Sequence, residues 1–191
     1  MTLLVLGVLL FAGLHLFKSL APEFRAAMVG KLGTNPYRGL FSLLVLGAIA
    51  LIALGWRSTT PAYIYTPLPA LQHPAMTVIF VAFLFMVAGS RRSRLRRLVR
   101  HPQLTGVVLW GGAHLLLNGD SRSLVLFGGL VLWALLEMLA INRRDGVWIR
   151  EEAPGWGSDI LNLLITLVVV AVVIYIHPWL AGVSITGRLP Q

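Results

Sequence analysis

The feature that most constrains this chain is an alternation: long apolar blocks separated by short polar segments, with basic residues gathered on every second segment. The blocks fall at about residues 1–17, 40–56, 74–89, 102–118, 124–141 and 160–180. Each approaches the roughly 20 residues that a helix needs to cross the hydrocarbon core of a bilayer. Composition agrees. Of 191 residues, 57% are hydrophobic and only 12% charged, with mean hydropathy +0.81, whereas about a quarter of a soluble domain is charged. The expected fold is all-α: a polytopic integral membrane protein, one membrane domain over residues 1–191, built as a six-helix transmembrane bundle. The first block has neither a basic leader nor a small-residue cleavage site, so it reads as a retained span.

Charge then orients the bundle. Lys18, Arg25, Lys31 and Arg38 follow the first block. Arg91, Arg92, Arg94, Arg96, Arg97 and Arg100 follow the third, and Arg143, Arg144 and Arg150 follow the fifth. The alternate loops carry only Arg57 and Arg122, and the tail Arg188. Since basic loops stay cytoplasmic, both termini are expected outside. The net charge of +9 therefore belongs to topology. The arginine run 91–100 is expected to meet anionic lipid headgroups; it lacks the interleaved aromatics and reading module of a nucleic-acid binder, so no nucleic acid is expected. With no cysteine in the chain, disulfides, thiolate ligands and cysteine nucleophiles are excluded.

Ionisable groups at membrane depth are costly and therefore point to function. They are His15, His101, His114 and Glu137, with Asn118 and Asp120 at a helix end. His73 and His177 fall at the outward ends of their blocks, where a histidine is simply hydrated. Pro102, Gly106, Trp110, His114 and Asn118 are spaced by four and form one drifting stripe along the fourth helix. At about 1.5 Å per residue, His15, His101 and Glu137 share a layer near the cytoplasmic side, with Arg100, Asn142 and Arg143 close above and His114 deeper. Glu137 is expected to pair with a histidine or arginine of that layer. Neutral imidazoles on different helices suit metal or haem iron; without a CxxCH sequence a haem would be b-type. The alternative is plain interhelical hydrogen bonding. Gly111-Gly112 and Gly128-Gly129 lie inside spans and read as close helix contacts.

Several motifs resemble one bacterial membrane-protein family. They are Gly13-Leu14-His15, Leu32-Gly33 before Tyr37-Arg38-Gly39-Leu40-Phe41-Ser42, and Arg100-His101-Pro102 running through Trp110 and Ala113-His114-Leu115 to Asn118-Gly119-Asp120. Arg143-Arg144 follows after the fifth block. Together they resemble the NnrU family over nearly the whole chain. The resemblance implies a bacterial inner (cytoplasmic) membrane location with periplasmic termini, and an association with nitrite and nitric oxide reduction. Through the related plant 15-cis-zeta-carotene isomerase it also implies haem b, a lipophilic small-molecule substrate and isomerase-like chemistry. The iron ligands implied are His15 and His114, with His101 also important. His101, Asn118, Asp120 and Glu137 would then shape the cofactor pocket, between the first, fourth and fifth spans. Layering by depth instead pairs His15 with His101, so the two pairings stand as rival expectations.

A second, local resemblance is to membrane-embedded methyltransferases acting on isoprenylcysteine or phospholipid, in which an Arg-His-Pro motif helps hold S-adenosylmethionine. It would place Arg100 and His101 with Glu151 and Glu152. A third reading is a non-enzymatic membrane component that assists assembly or sensing.

Overall fold

A computed structural model describes residues 1–150 and 152–182; Glu151 and Arg188, invoked above, lie outside the described residues. The helices are α1 (Thr2–Leu20), α2 (Pro22–Leu32), α3 (Thr34–Ser58), α4 (Gln72–Gly89), α5 (Leu95–Leu98), α6 (Pro102–Leu117), α7 (Ser121–Ser123), α8 (Gly129–Asp145) and α9 (Trp156–Ala181). Among the described residues there is no strand, only an isolated bridge between Tyr63 and Asp120.

Five helical segments are long and apolar enough to cross a membrane: Thr2–Leu20, Thr34–Ser58, Pro69–Gly89, Ser121–Asp145 and Trp156–Ala181. The fourth expected block is also a helix, α6, with nearly the expected bounds. At 16 residues it reaches only about 24 Å. The polar segment after the first span forms α2, 11 residues long with none buried. Pro22 starts it, in the first turn where a missing N–H costs nothing, and Gly33, at φ +86°, ends it in a conformation that favours glycine. That break lets α3 begin at Thr34, six residues before the apolar block does.

The main helices pack in the order α3, α1, α8, α6, α4, α9. Glycine permits the closest approaches. A Cβ on Gly7 would lie 2.7 Å from the Ile52 nitrogen, and one on Gly106 would lie 2.6 Å from the Ala82 carbonyl oxygen. Of the two glycine pairs, one member each makes a contact: Gly111 meets Val131 and Gly129 meets Val8, whereas Gly112 faces open space. Leu9, Leu43 and Leu46 are exposed; in lipid such side chains need no cover, because acyl chains are as apolar as leucine.

The bundle has two ends. At one, the Met1 amino group donates to Thr59 Oγ1 at 2.6 Å, Trp56 Nε1 to the Ala181 carbonyl at 3.4 Å, and the Arg57 guanidinium to the Trp179 carbonyl at 2.8 Å. At the other, the arginine run meets the start of α9. Ser93 Oγ and the Arg94 N–H both donate to Asp159 Oδ1, at 2.8 and 3.0 Å. Arg94 also lies 3.4 Å above the Trp156 ring.

Candidate functional site

Helix α8 is the backbone of the site, because α1 and α6 both pack on it. Four of its positions, or of the turn before it, meet the polar residues singled out by the sequence. A π-helical turn, Leu124–Gly128, leads into α8 and presents Phe127, whose ring stacks on His114 at 4.4 Å. Trp133 lies 5.2 Å from His15 and 5.1 Å from Phe11, edge-on to both. Glu137 accepts a hydrogen bond from Ser19 Oγ. Asn142 Oδ1 lies 2.9 Å from His101 Nε2.

His15 and His114 are held alike. His15 Nδ1 lies 2.7 Å from the Phe11 carbonyl, and His114 Nδ1 lies 2.8 Å from the Trp110 carbonyl. A carbonyl only accepts, so both Nδ1 atoms carry the hydrogen, and in a neutral ring Nε2 is then the nitrogen with the lone pair. No protein hydrogen bond meets either Nε2 among the described residues. Each imidazole also packs on the aromatic ring four residues back: Phe11 at 4.3 Å for His15 and Trp110 at 4.7 Å for His114. Phe41 closes over His15 at 5.6 Å. The sequence carried this signal as a repeated aromatic-x3-His spacing, and sequence reasoning missed it.

The levels along α8 bear on the rival pairings. The neighbours of His15 and His114 there, Trp133 and Phe127, are six residues apart, roughly 9 Å of helix; Trp133 and Asn142, the neighbour of His101, are nine apart, roughly 14 Å. His101 therefore does not share a layer with His15, and Glu137 falls between their two levels. His101 sits at the arginine end with its Nε2 engaged by Asn142. The layering by depth ended the first helix at Phe17, whereas α1 runs to Leu20.

Glu137 is buried, 7% exposed, and its hydrogen-bond partner is Ser19, while its charge also acts on Arg144 two turns further along α8. Its Oε2 has no partner, nor has the buried Trp133 Nε1 one turn away. Unmet polar atoms at such depth each cost about 1–3 kcal/mol, and these two flank the layer of His15.

Asp120 does structural work. Its Oδ1 accepts from the N–H groups of Arg122 and Ser123 at 2.9 and 3.1 Å, and its Oδ2 from Ser123 Oγ at 2.7 Å. It thus caps the helical segment that begins at Ser121. Asn118 Nδ2 donates to the His114 carbonyl at 2.8 Å and secures the last turn of α6. The four-residue stripe drifts as expected: Gly106 abuts Ala82 and Met86 of α4, whereas Trp110 and His114 face Phe127. Steps of about 40° per four residues carry the stripe from one neighbour to the other.

Two openings border these residues. One, about 510 Å³, lies between the ends of α1 and α8 and is lined by Ser19, Leu136, Arg143 and Arg144 among others. The other, about 350 Å³, lies at the arginine end and gathers Arg92, Arg97, Arg100 and His101 with Trp148 and Glu152. Neither is lined by His15 or His114. Among the described residues no three His, Asp or Glu side chains converge as a metal cluster would require. The donors on offer are thus single imidazoles set in aromatic walls. A single imidazole is a kind of ligand that a haem iron takes, its other ligands coming from the porphyrin.

An all-helical chain with five membrane-length apolar helices and polar groups buried along its central helix defines a class: a multi-pass α-helical membrane protein. The profile described as NnrU protein matches residues 3–185, and the chain belongs to the NnrU family. No curated protein and no solved structure matches it.

Proposed function

We propose that this NnrU protein binds haem b, with His15 and His114 as the iron ligands, and that it serves an isomerase-like or redox, nitric-oxide-linked role associated with denitrification in a bacterial inner membrane. The observation that carries the reading is the shared setting of the two histidines: Nδ1 tied to the carbonyl four residues back, Nε2 unclaimed, aromatic rings on the flanks. Fixing Nδ1 sets both tautomer and ring orientation, the usual outer-shell support of a metal-binding histidine. His101 is less suited, since Asn142 occupies its Nε2.

Each residue then has a task. Phe127, Trp133 and Phe11 exclude water around the imidazoles and offer flat apolar surface. Trp133 Nε1 and Glu137 Oε2, both buried without partners, offer a donor and an acceptor to polar atoms of a bound group. Asn118 holds the end of α6 on which His114 sits. Haem b, when bound, supplies a redox-active iron able to take a small ligand or to gate chemistry on a lipophilic substrate.

In the membrane, α6 makes the sixth crossing, since it packs antiparallel along α4, with Gln103 beside Gly89 and Gly106 beside Ala82. The arginine end faces the cytoplasm and the Met1 end the periplasm. The deciding experiment is an absorption spectrum of protein purified in detergent. A Soret band with the pyridine haemochrome of haem b is expected; a protein colourless even after haem supplementation overturns the reading.

A further inference from the structure

The cleft at the arginine end has no part in the reading above, which rests on the histidines inside the bundle. Its wall is basic: Arg92, Arg96, Arg97 and Arg100 line it together with His101. The two acids of its lining do not cancel that charge. Asp145 is engaged by the neighbouring Arg144, at 2.7 and 3.2 Å, and Glu152 is a single carboxylate beside Arg92, Arg97 and Arg100. The cleft is also built and not merely a cluster of free side chains. Arg100 donates to the Gly146 carbonyl at 2.6 Å, and Arg94 to the Pro154 carbonyl at 3.3 Å. These bonds tie the arginine run to the far wall, residues 146–150 and 152–154.

That far wall is apolar where it meets solvent. Val147 is 88% exposed and Ile149 85% exposed, and Trp148 lines the cleft between them. Two nearly bare aliphatic side chains next to a guanidinium-lined cleft, at the ends of membrane-length helices, match the chemistry of a lipid–water interface: anionic oxygens above and acyl chains below. A sulfonium cation such as that of S-adenosylmethionine would meet like charge here.

We propose that this cleft is a specific site for an anionic phospholipid, with the phosphate held by Arg92 and Arg97 and the proximal acyl carbons lying against Val147, Trp148 and Ile149. Guanidinium groups suit a phosphate through planar paired donors. Arg100 and Arg94 hold the two walls in place, so Arg92 and Arg97 are the arginines to test.

The experiment is native mass spectrometry of the detergent-purified full chain, titrated with phosphatidylglycerol and separately with phosphatidylcholine. The wild type should retain phosphatidylglycerol preferentially. Arg92→Gln with Arg97→Gln should weaken it about thirtyfold, while Arg91→Gln, outside the cleft, should leave it unchanged. Val147→Ser with Ile149→Ser should weaken it too without altering net charge. If the double arginine variant fails to fold, Arg97→Gln alone should give a partial loss of about fivefold. Equal retention of the two lipids overturns the proposal. Equally tight binding of soluble glycerol 3-phosphate overturns the lipid source in favour of a free phosphate compound. Calorimetric binding of S-adenosylmethionine that is lost in Arg100→Gln overturns it in favour of a methyl-donor site.

Discussion

His15 and His114 are held by the same device on two different helices: an Nδ1 hydrogen bond to the carbonyl of an aromatic residue four positions back, at 2.7 and 2.8 Å. The device fixes each ring and makes Nε2 the nitrogen that faces away from the helix's own carbonyl. Both rings then lean on one element, the α8 segment, through Trp133 and Phe127.

If these two imidazoles hold iron, His15→Ala and His114→Ala should each abolish the Soret band, whereas His101→Ala should shift haem content little. Absorption spectra of the three purified variants, normalised to protein, measure this. The reverse ranking, with His101→Ala colourless and His114→Ala unaffected, would restore the pairing expected from depth.

Trp133→Phe should be nearly neutral for folding, because the lost Nε1 has no partner and the apolar body remains. Its effect should fall on the cofactor: a moved Soret maximum or weaker haem retention. Thermal unfolding and spectra of one preparation separate the two.

Ser19→Ala removes the hydrogen bond to Glu137 and leaves the buried carboxyl without a donor. A loss of about 1–3 kcal/mol is expected, read as a lower unfolding midpoint in detergent. Glu137→Leu should recover part of that loss, since it removes the polar group that lacks a partner.

Asp120→Ala should cost about 1 kcal/mol through loss of the cap on the Ser121 turn, with an unchanged spectrum. A spectral change at equal stability would return Asp120 to the cofactor pocket.

The absence of cysteine makes orientation directly measurable. Single cysteines at Arg97 and at Thr66 should react with a membrane-impermeant maleimide from opposite faces, Thr66→Cys in intact cells and Arg97→Cys only after lysis. Labelling of both from one side would remove α4 from the count of crossings.

What the sequence determined by itself is what lipid enforces locally. A backbone that crosses hydrocarbon must satisfy its own hydrogen bonds, so apolar blocks of suitable length become helices wherever they fall. The block at 102–118 accordingly became α6, and alternating arginines marked the two ends of the bundle. Small residues also announced contacts, though only Gly111 and Gly129 of the two pairs make them. Polar residues at depth were legible as candidates because their cost is a property of residue type.

The tertiary structure alone decided how those candidates meet. Axial level depends on where each helix starts and how it sits against its neighbours. The extension of α1 to Leu20 and the π turn at Leu124–Gly128 set those levels without any mark in the hydropathy pattern. They bring the Ser19 hydroxyl to Glu137, give Asn142 to His101, and turn Asp120 into a cap. They also set Trp133 and Phe127 against the two histidines. Hydrophobicity specifies that a helix lies in the membrane, but it is nearly indifferent to rotation and register. Those are settled by close packing and by the few hydrogen bonds that buried polar groups can find.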